Sequence, residues 1–317
     1  MEKNPEISIV IPLFNENESL KELIEITQNV MDIHKYDYEI IFIDDGSTDK
    51  SWISIKEISK KYKNIFGVSF SKNYGKSQAL HAGFEKAKGN FIFTLDGDLQ
   101  DSPHEIPLMH KILLNENLDL ISGWKKKRFD SFFLKNMPSK LFNWAARKVS
   151  GIKIHDFNCG IKGYRKNVVK NIYVYGEMHR YIPVLAAQQG FTKISEKVVK
   201  HQARKYGKTK FGNDRFYKGF LDLITIWFVQ KFGKRPMHFF GVWGTIMLIL
   251  GFGFTLYTGF DKLYLDTSGR LITERPQFFI ALTLMLLGSQ FFIAGFLGEF
   301  ILKTQKRTKN YSIAETI

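Results

Sequence analysis

Two stretches near the carboxyl end, Met237 to Phe260 and Gln277 to Gly298, contain no Asp, Glu, Lys or Arg. Each exceeds the roughly 20 helical residues needed to cross the hydrocarbon core of a bilayer. A helix buried in a soluble core is the competing reading, but two such runs in succession with aromatic ends favour a pair of spans. Lys231, Lys234 and Arg235 precede the first run, and Lys303, Lys306, Arg307 and Lys309 follow the second. The linker 261–276 balances Lys262, Arg270 and Arg275 with three acids. This excess of positive charge predicts a two-span protein of the inner or plasma membrane, with both flanks, both termini and the large amino-terminal domain cytoplasmic and the linker outside. No signal peptide is expected: Ile7 to Phe14 is short, interrupted by Pro12 and preceded by Glu2 and Glu6.

The formal charge of +15 is concentrated. Residues 195–235 hold eleven Lys and Arg against three Asp and Glu. Basic balance suits nucleic acid, anionic lipid or phosphorylated substrates. Its position beside the apolar runs favours the membrane over nucleic acid. A hydrophobic content of 44% excludes a disordered chain. One cysteine, Cys159, excludes an internal disulfide and fits a reducing compartment. It reads as a small, partly buried thiol.

The first 124 residues alternate strand and helix patterns. Ile7–Phe14, Tyr38–Ile43, Ile65–Phe70, Phe91–Leu95 and Leu118–Ser122 are short apolar runs. Between them, Leu20, Leu23, Ile24, Val30 and Met31, then Trp52, Ile55 and Ile58, recur at helical spacing. Ser77–Lys88 reads as a third helix, ended by Gly89. Such alternation predicts an α/β layer fold with a mostly parallel sheet, in which ligands gather at the carboxyl ends of the strands. Polar clusters stand at those ends: Pro12, Asn15 and Glu16; Asp44-Asp45-Gly46-Ser47; Lys72-Asn73-Tyr74-Gly75-Lys76; and Asp96-Gly97-Asp98 with Gln100. Each alone is ordinary turn chemistry. Four on one sheet edge read as a nucleotide site. No Gly-rich phosphate loop of either common type is present, which disfavours P-loop NTPases and Rossmann dehydrogenases. Two carboxylates two residues apart at a strand end can share one hard divalent cation, Mg²⁺ or Mn²⁺, with substrate phosphates.

The runs Val10-Ile11-Pro12-Leu13-Phe14-Asn15-Glu16, Asp44-Asp45-Gly46-Ser47 and Asp96-Gly97-Asp98-Leu99-Gln100-Asp101 resemble the family 2 glycosyltransferases of GT-A fold. Asp156-Phe157-Asn158-Cys159-Gly160, His179-Arg180-Tyr181-Ile182-Pro183 and His201-Gln202-Ala203-Arg204-Lys205-Tyr206-Gly207 are similar to the polyprenyl-phosphate branch of that family, which includes dolichol-phosphate mannose synthase and the bactoprenol glucosyltransferases. The resemblance implies an inverting, metal-dependent transfer of a sugar from a nucleotide diphosphate to the phosphate of a membrane polyprenol. UDP-glucose and undecaprenyl phosphate are the favoured pair, for cell-envelope glycosylation, and the branch suggests a homo-oligomer. By the same analogy Pro12, Asn15, Glu16, Asp44, Asp45, Lys72 and Asp96 contact the donor. Asp96, Asp98 and Gln100 hold the metal and diphosphate, with Asp98 the direct ligand. Asp156 sits beside the acceptor, with an Asx turn as its bland alternative. Relatives often carry Arg where Lys72 stands, which keeps the charge but not the planar fork.

An anionic acceptor needs cations. Arg128, Arg180, Arg204, Lys205 and Lys208 are the candidates, Arg suiting bidentate phosphate recognition and Lys a point charge. The run Lys125-Lys126-Lys127-Arg128 also suits attraction to anionic headgroups. His179 and His201 are read as phosphate contacts or packed core residues, with packing favoured for His201. Between Phe216 and Phe232 an aromatic stripe with Arg215, Lys218 and Lys231 suggests an interfacial helix. The expected organisation is a catalytic domain over 1–212, an amphipathic region over 213–236, two membrane helices over 237–302 and a basic cytoplasmic tail over 303–317. The competing functions are a GDP-mannose-dependent mannose synthase of the same branch, a processive polysaccharide synthase, and a non-catalytic nucleotide-sugar sensor or scaffold. The synthase is disfavoured because no Gln-x-x-Arg-Trp segment is present. The intact Asp96, Asp98 and Asp156 disfavour the sensor.

Overall fold

A computed structural model describes residues 4–126, 143, 146–148, 150–200, 202, 205–206, 227–228, 231–233, 235–265, 271–304 and 311–317. The chain divides into two compact units, one of residues 1–224 with 309–317 and one of residues 225–308.

The first unit is built on one eight-stranded sheet. Its strands are β1 (Ile7–Leu13), β2 (Tyr38–Asp44), β3 (Ile65–Phe70), β4 (Phe91–Thr94), β5 (Leu120–Trp124), β6 (Lys162–Arg165), β7 (Ile194–Val198) and β8 (Ile313–Thr316), in the spatial order β7-β5-β6-β4-β1-β2-β3-β8. The block β4-β1-β2-β3 is parallel. The expected parallel α/β core is therefore present, and β1 is buried at every position, as a central strand covered on both faces requires. Helices α1 (Asn17–Ile33), α2 (Ser51–Lys61) and α4 (Ile106–Asn115) pack on one face through Leu20, Leu23, Ile55 and Met109 against Ile9, Ile11, Phe42 and Phe93. Helices α3 (Lys76–Lys86), α5 (Lys166–Asn171) and α6 (Ile182–Gln188) cover the other through Leu80, Phe84, Val168 and Ile182 against Val10, Ile41 and Ile43. Alternate residues of β1 thus serve opposite cores, the period of two that a strand imposes.

Two strands run against the parallel pattern. β6 is inserted antiparallel between β4 and β5. β8 pairs antiparallel with β3 at the sheet edge. The basic tail expected over 303–317 is thus corrected at its end. Residues 313–316 form a strand of the first unit, because β3 offers an unpaired edge that backbone hydrogen bonding satisfies.

The second unit is a pair of long apolar helices, α7 (Met237–Phe260) and α8 (Pro276–Thr304). Both are long and apolar enough to cross a membrane. Gly244 meets the backbone of Gly288, Gly251 meets Ala281 and Met285, and Gly241 meets Gly295. As one series ascends the other descends, so the helices are antiparallel neighbours. Small residues at their seam let the backbones approach closely. Arg275 forms an ion pair with Asp261 at the turn between them. The amphipathic helix expected over 213–236 falls largely outside the described residues.

Candidate active site

The carboxyl ends of β1, β2 and β4 and the segment after β3 are tied to one another by side chains that the sequence had grouped. Asn15, in a left-handed conformation (φ 52°), accepts from the backbone N–H of Thr48 at 2.8 Å and of Asp49 at 3.3 Å. Its own N–H donates to Ser47 Oγ at 2.8 Å. Glu16 N–H donates to Ser51 Oγ at 3.1 Å. Asp44 is buried, accepting from Ser47 N–H and Ser69 Oγ, each at 3.1 Å. Asp45 accepts from the N–H groups of Tyr74 at 2.7 Å and Gly75 at 2.9 Å. Burial pushes its carboxyl up to about 6, against the pull of those two donors. Gly46 has φ +71° and lies against the backbone of Lys72 and Asn73, where a Cβ would stand 2.7 Å from Asn73 N. Pro12 is buried within β1. Lys72 is exposed, its ammonium 5.2 Å from the Tyr74 ring centroid. Asn15, Asp44 and Asp45 thus tie the strand-end loops to one another through their side chains.

Asp96 and Asp98 follow β4. Lys76, at the start of α3, holds Asp96 Oδ1 at 2.5 Å. Burial opposes ionisation of Asp96, but Lys76, Lys125 and Lys162 outweigh it and hold the group down to about 2. Asp98 is 7% exposed and accepts from Gln100 N–H at 3.1 Å. The carbonyl of Gln100 accepts from Gln202 N–H at 3.1 Å. Among the described residues no three His, Cys, Asp or Glu side chains form a closed cage for a metal. Mg²⁺ and Mn²⁺ are commonly held by one or two carboxylates together with substrate phosphates. The ionised Asp96 and the recessed Asp98 are hard oxygen donors of that kind.

The loop carrying Asp156 is drawn onto the same edge. Gly160 O accepts from Thr94 Oγ1 at 2.8 Å, and Ile161 N–H donates to Asp101 Oδ2 at 3.1 Å. Lys162 Nζ donates to the carbonyls of Phe157 and Cys159. Asp156 is 2% exposed. One oxygen accepts from Asn158 N–H at 3.0 Å, the Asx turn weighed from sequence, and the other faces Lys125 N–H at 3.4 Å. The turn and a place in the site are therefore compatible. Trp124 stacks on His155 at 4.2 Å beside it, and Glu196 holds His155.

Several members were missed or misread. Lys125 had been grouped with headgroup-attracting surface charges. It is instead nearly buried, 2.7 Å from the fully buried Asp101. Burial disfavours its charge, but Asp101 and Asp96 raise its pKa. Lys162 stands outside every motif read from the sequence, and burial lowers its pKa. The sequence signal was the unexplained Asp101, one charge beyond the metal motif. His179 packs against Ser77, whose Oγ is 3.1 Å from Nδ1, and burial lowers its pKa well below the ordinary value. Arg180 lies in the same turn, between Met178 and Tyr181. Lys205 is paired with Glu22 of α1 at 2.8 Å. Arg128, Arg204, Lys208 and His201 lie outside the described residues.

An α/β sheet with this edge and this metal motif defines a nucleotide-sugar transferase class. Residues 8–173 match the model of glycosyl transferase family 2, and the chain belongs to that family. It is 36% identical over 315 residues to dodecaprenyl-phosphate galacturonate synthase of Rhizobium johnstonii, covering 98% of this chain and 92% of that protein. It is 31% identical over 297 residues to undecaprenyl-phosphate 4-deoxy-4-formamido-L-arabinose transferase of Edwardsiella ictaluri, covering 93% and 88%. In fold it matches glucosyl-3-phosphoglycerate synthase of Mycobacterium tuberculosis, solved with Mn²⁺, UDP-glucose and phosphoglyceric acid, with a TM-score of 0.55, 19% identity, and coverage of 71% of this chain and 79% of that one. The chain is a glycosyltransferase of GT-A-like fold.

Proposed function

We propose that the protein transfers a sugar from a nucleotide diphosphate sugar to the phosphate of a membrane polyprenol, with a divalent metal assisting. The observation that carries this reading is the convergence of Asp96, held by Lys76, with the Asp156 loop through Gly160 and Asp101. This convergence supports reading Asp96 as a donor-side and Asp156 as an acceptor-side carboxylate, and the two apolar helices suit a membrane-bound acceptor. The similar proteins from Rhizobium johnstonii and Edwardsiella ictaluri are both named for polyprenyl phosphates but for different sugars. The acceptor class is thus the better supported half. UDP-glucose with undecaprenyl phosphate is the first pair to test, and galacturonate and mannose donors follow.

Bond making and breaking balance without a base. A phosphate oxygen of the acceptor attacks the anomeric carbon from the face opposite the leaving group. The bond from that carbon to the diphosphate breaks, and configuration inverts. The acceptor is already anionic, so no proton must be removed. Positive charge grows on the sugar ring, and a fixed carboxylate nearby stabilises it. Asp156, held by two backbone N–H groups, is suited to that role and to orienting the acceptor. Negative charge grows on the leaving diphosphate, and Lys76 and Lys72 stand on that side to offset it. The metal, when bound to Asp98 and Asp96 with Gln100 nearby, supplies further charge neutralisation. Arg180 and Lys205 are the acceptor-phosphate candidates that fall among the described residues.

The hairpin α7–α8 spans the membrane in this reading. The segments before and after it share one folded unit, so both lie on one face, and the flanking Lys and Arg make that face cytoplasmic.

The test is incubation of detergent-solubilised protein with undecaprenyl phosphate, Mg²⁺ or Mn²⁺ and a panel of labelled nucleotide sugars, with Asp98→Asn in parallel. Label in an organic-extractable, mild-acid-labile lipid, absent with the variant, is the expected result. Binding of nucleotide sugar without lipid labelling from any donor overturns the assignment.

A further inference from the structure

The last seven residues of the chain reach the loop that lines the donor side. Ser71 N–H donates to Ser312 O at 3.1 Å, and Gly67 and Ile317 exchange two backbone hydrogen bonds of 3.0 Å. The pairing shifts register between Ser69 and Phe70, a bulge that bends the strand end. At that bend the Tyr311 ring stacks on Phe70, centroids 4.8 Å apart and planes 23° apart. Phe70 in turn meets Tyr74 edge to face at 5.7 Å. Tyr74 N–H and its neighbour Gly75 N–H are the two donors to Asp45. The next residue is Lys76, which holds Asp96.

Tyr311 is itself fixed. Its hydroxyl donates to Glu85 of α3 at 2.6 Å, and its ring meets His81 edge to face at 6.5 Å. The far end of β8 is anchored separately. Glu315 accepts from Trp52 Nε1 at 2.6 Å and pairs with Lys56 at 3.2 Å.

We propose that Tyr311 is a positioning residue for the donor loop 71–75, acting through Phe70 and Tyr74 on the hydrogen bonds to Asp45. The proposal rests on the reading of that loop as the donor side of the site. Without Tyr311, Phe70 loses its stacking partner, and the edge-to-face contact of Phe70 with Tyr74 loses its support. The loop then samples conformations in which the N–H groups of Tyr74 and Gly75 leave Asp45. Donor binding pays to recapture them, whereas the reacting centre, held by Asp101 and Gly160, is untouched. An aromatic pair of this kind is worth about 0.5–1.5 kcal/mol, about a two- to tenfold change in an equilibrium constant.

Hydrogen exchange on the full-length protein in detergent tests this without any ligand. In Tyr311→Ala the amides of Tyr74 and Gly75 are expected to exchange about two- to tenfold faster, with the amides of β1 unchanged. Tyr311→Phe keeps the ring and is expected to restore protection. Glu315→Ala loosens the other end of β8 and controls for general destabilisation. Equal exchange in wild type and Tyr311→Ala overturns the proposal, and so does equal acceleration in Glu315→Ala. If Tyr311→Ala fails to fold, Tyr311→Leu, which keeps an apolar group but no stacking, takes its place with the same expectations. Kinetics give the second readout: donor KM rises and kcat holds. Should the wild type transfer no sugar, the functional reading fails, while the exchange data still decide the role of Tyr311.

Discussion

A Cβ placed on Gly160 would stand 2.5 Å from Asp96 Oδ2 and 2.6 Å from Asp101 Oδ2. The loop that carries Asp156 therefore closes on Asp96 and Asp101 with no room for a side chain at position 160. Gly160→Ala is expected to force the loop outward and lower kcat/KM about a hundredfold, the scale of a 1 Å misplacement. Steady-state transfer assays alongside a thermal melt check it; a folded variant of unchanged activity contradicts the tight closure.

Asp101 and Lys125 form a buried ion pair beside that glycine. Lys125→Met leaves Asp101 charged without its partner and is expected to destabilise the protein by about 3–5 kcal/mol. The double variant Lys125→Met/Asp101→Leu removes the stranded charge and is expected to recover part of that loss. Urea unfolding of both, followed by near-ultraviolet circular dichroism, measures the difference. A double variant no more stable than the single one argues that Asp101 matters through Ile161 alone.

Asp45 carries a pH dependence whose sign is opposite to that of most carboxylates. Its folded pKa is raised from 3.8 to about 6, so the native state holds the proton more tightly than the unfolded chain does. Its contribution to stability is therefore greatest below pH 3.8, declines as pH rises, and is gone above about pH 6. Asp45→Asn cannot ionise. The difference in unfolding midpoint between variant and wild type is expected to shift in favour of the variant from pH 4.5 to pH 7, and paired melts at those two values read it.

Lys205 and Glu22 are an exposed pair at 2.8 Å, with side-chain exposures of 60% and 34%. Such a pair contributes little to stability, because solvent screens it and fixing two long side chains costs entropy. Lys205→Ala and Glu22→Ala are both expected to melt close to wild type. A rise in acceptor KM for Lys205→Ala but not Glu22→Ala is expected if the ammonium meets the acceptor phosphate. Equal KM in both confines Lys205 to its surface pairing.

The parallel core was legible because its strands β1, β2, β3 and β4 are unbroken runs such as Ile7–Leu13, and their polar ends announce the cleft. The two long apolar helices were legible from their length and their long runs free of charged residues. What escaped reading depends on distant partners. Lys125 looks like its neighbour Lys126 in the sequence, and only the proximity of Asp101 removes it from the surface. Asp44 reads as a donor ligand, and its bonds from Ser47 and Ser69 depend on residues that the sequence alone does not bring to it. β6 is Lys-Gly-Tyr-Arg, with no alternation to mark it as a strand. It forms because β4 and β5 leave a gap that only an antiparallel insert fills. β8, Ile-Ala-Glu-Thr, is polar and short, and follows a basic segment; nothing local distinguishes it from a tail.

The place of β8 in the chain also orders the protein's birth. Every other strand of the sheet is synthesised before α7, but the edge of β3 stays uncovered until residues 313–316 leave the ribosome. By then both apolar helices have been made and committed to their surroundings. The sheet is therefore completed after the hairpin, and a nascent chain stalled in the hairpin carries an open edge able to pair with a neighbouring chain. Closure by β8 therefore follows the making of α8, and the strand that leads into the loop 71–75 gains its outer neighbour only after the hairpin has been synthesised.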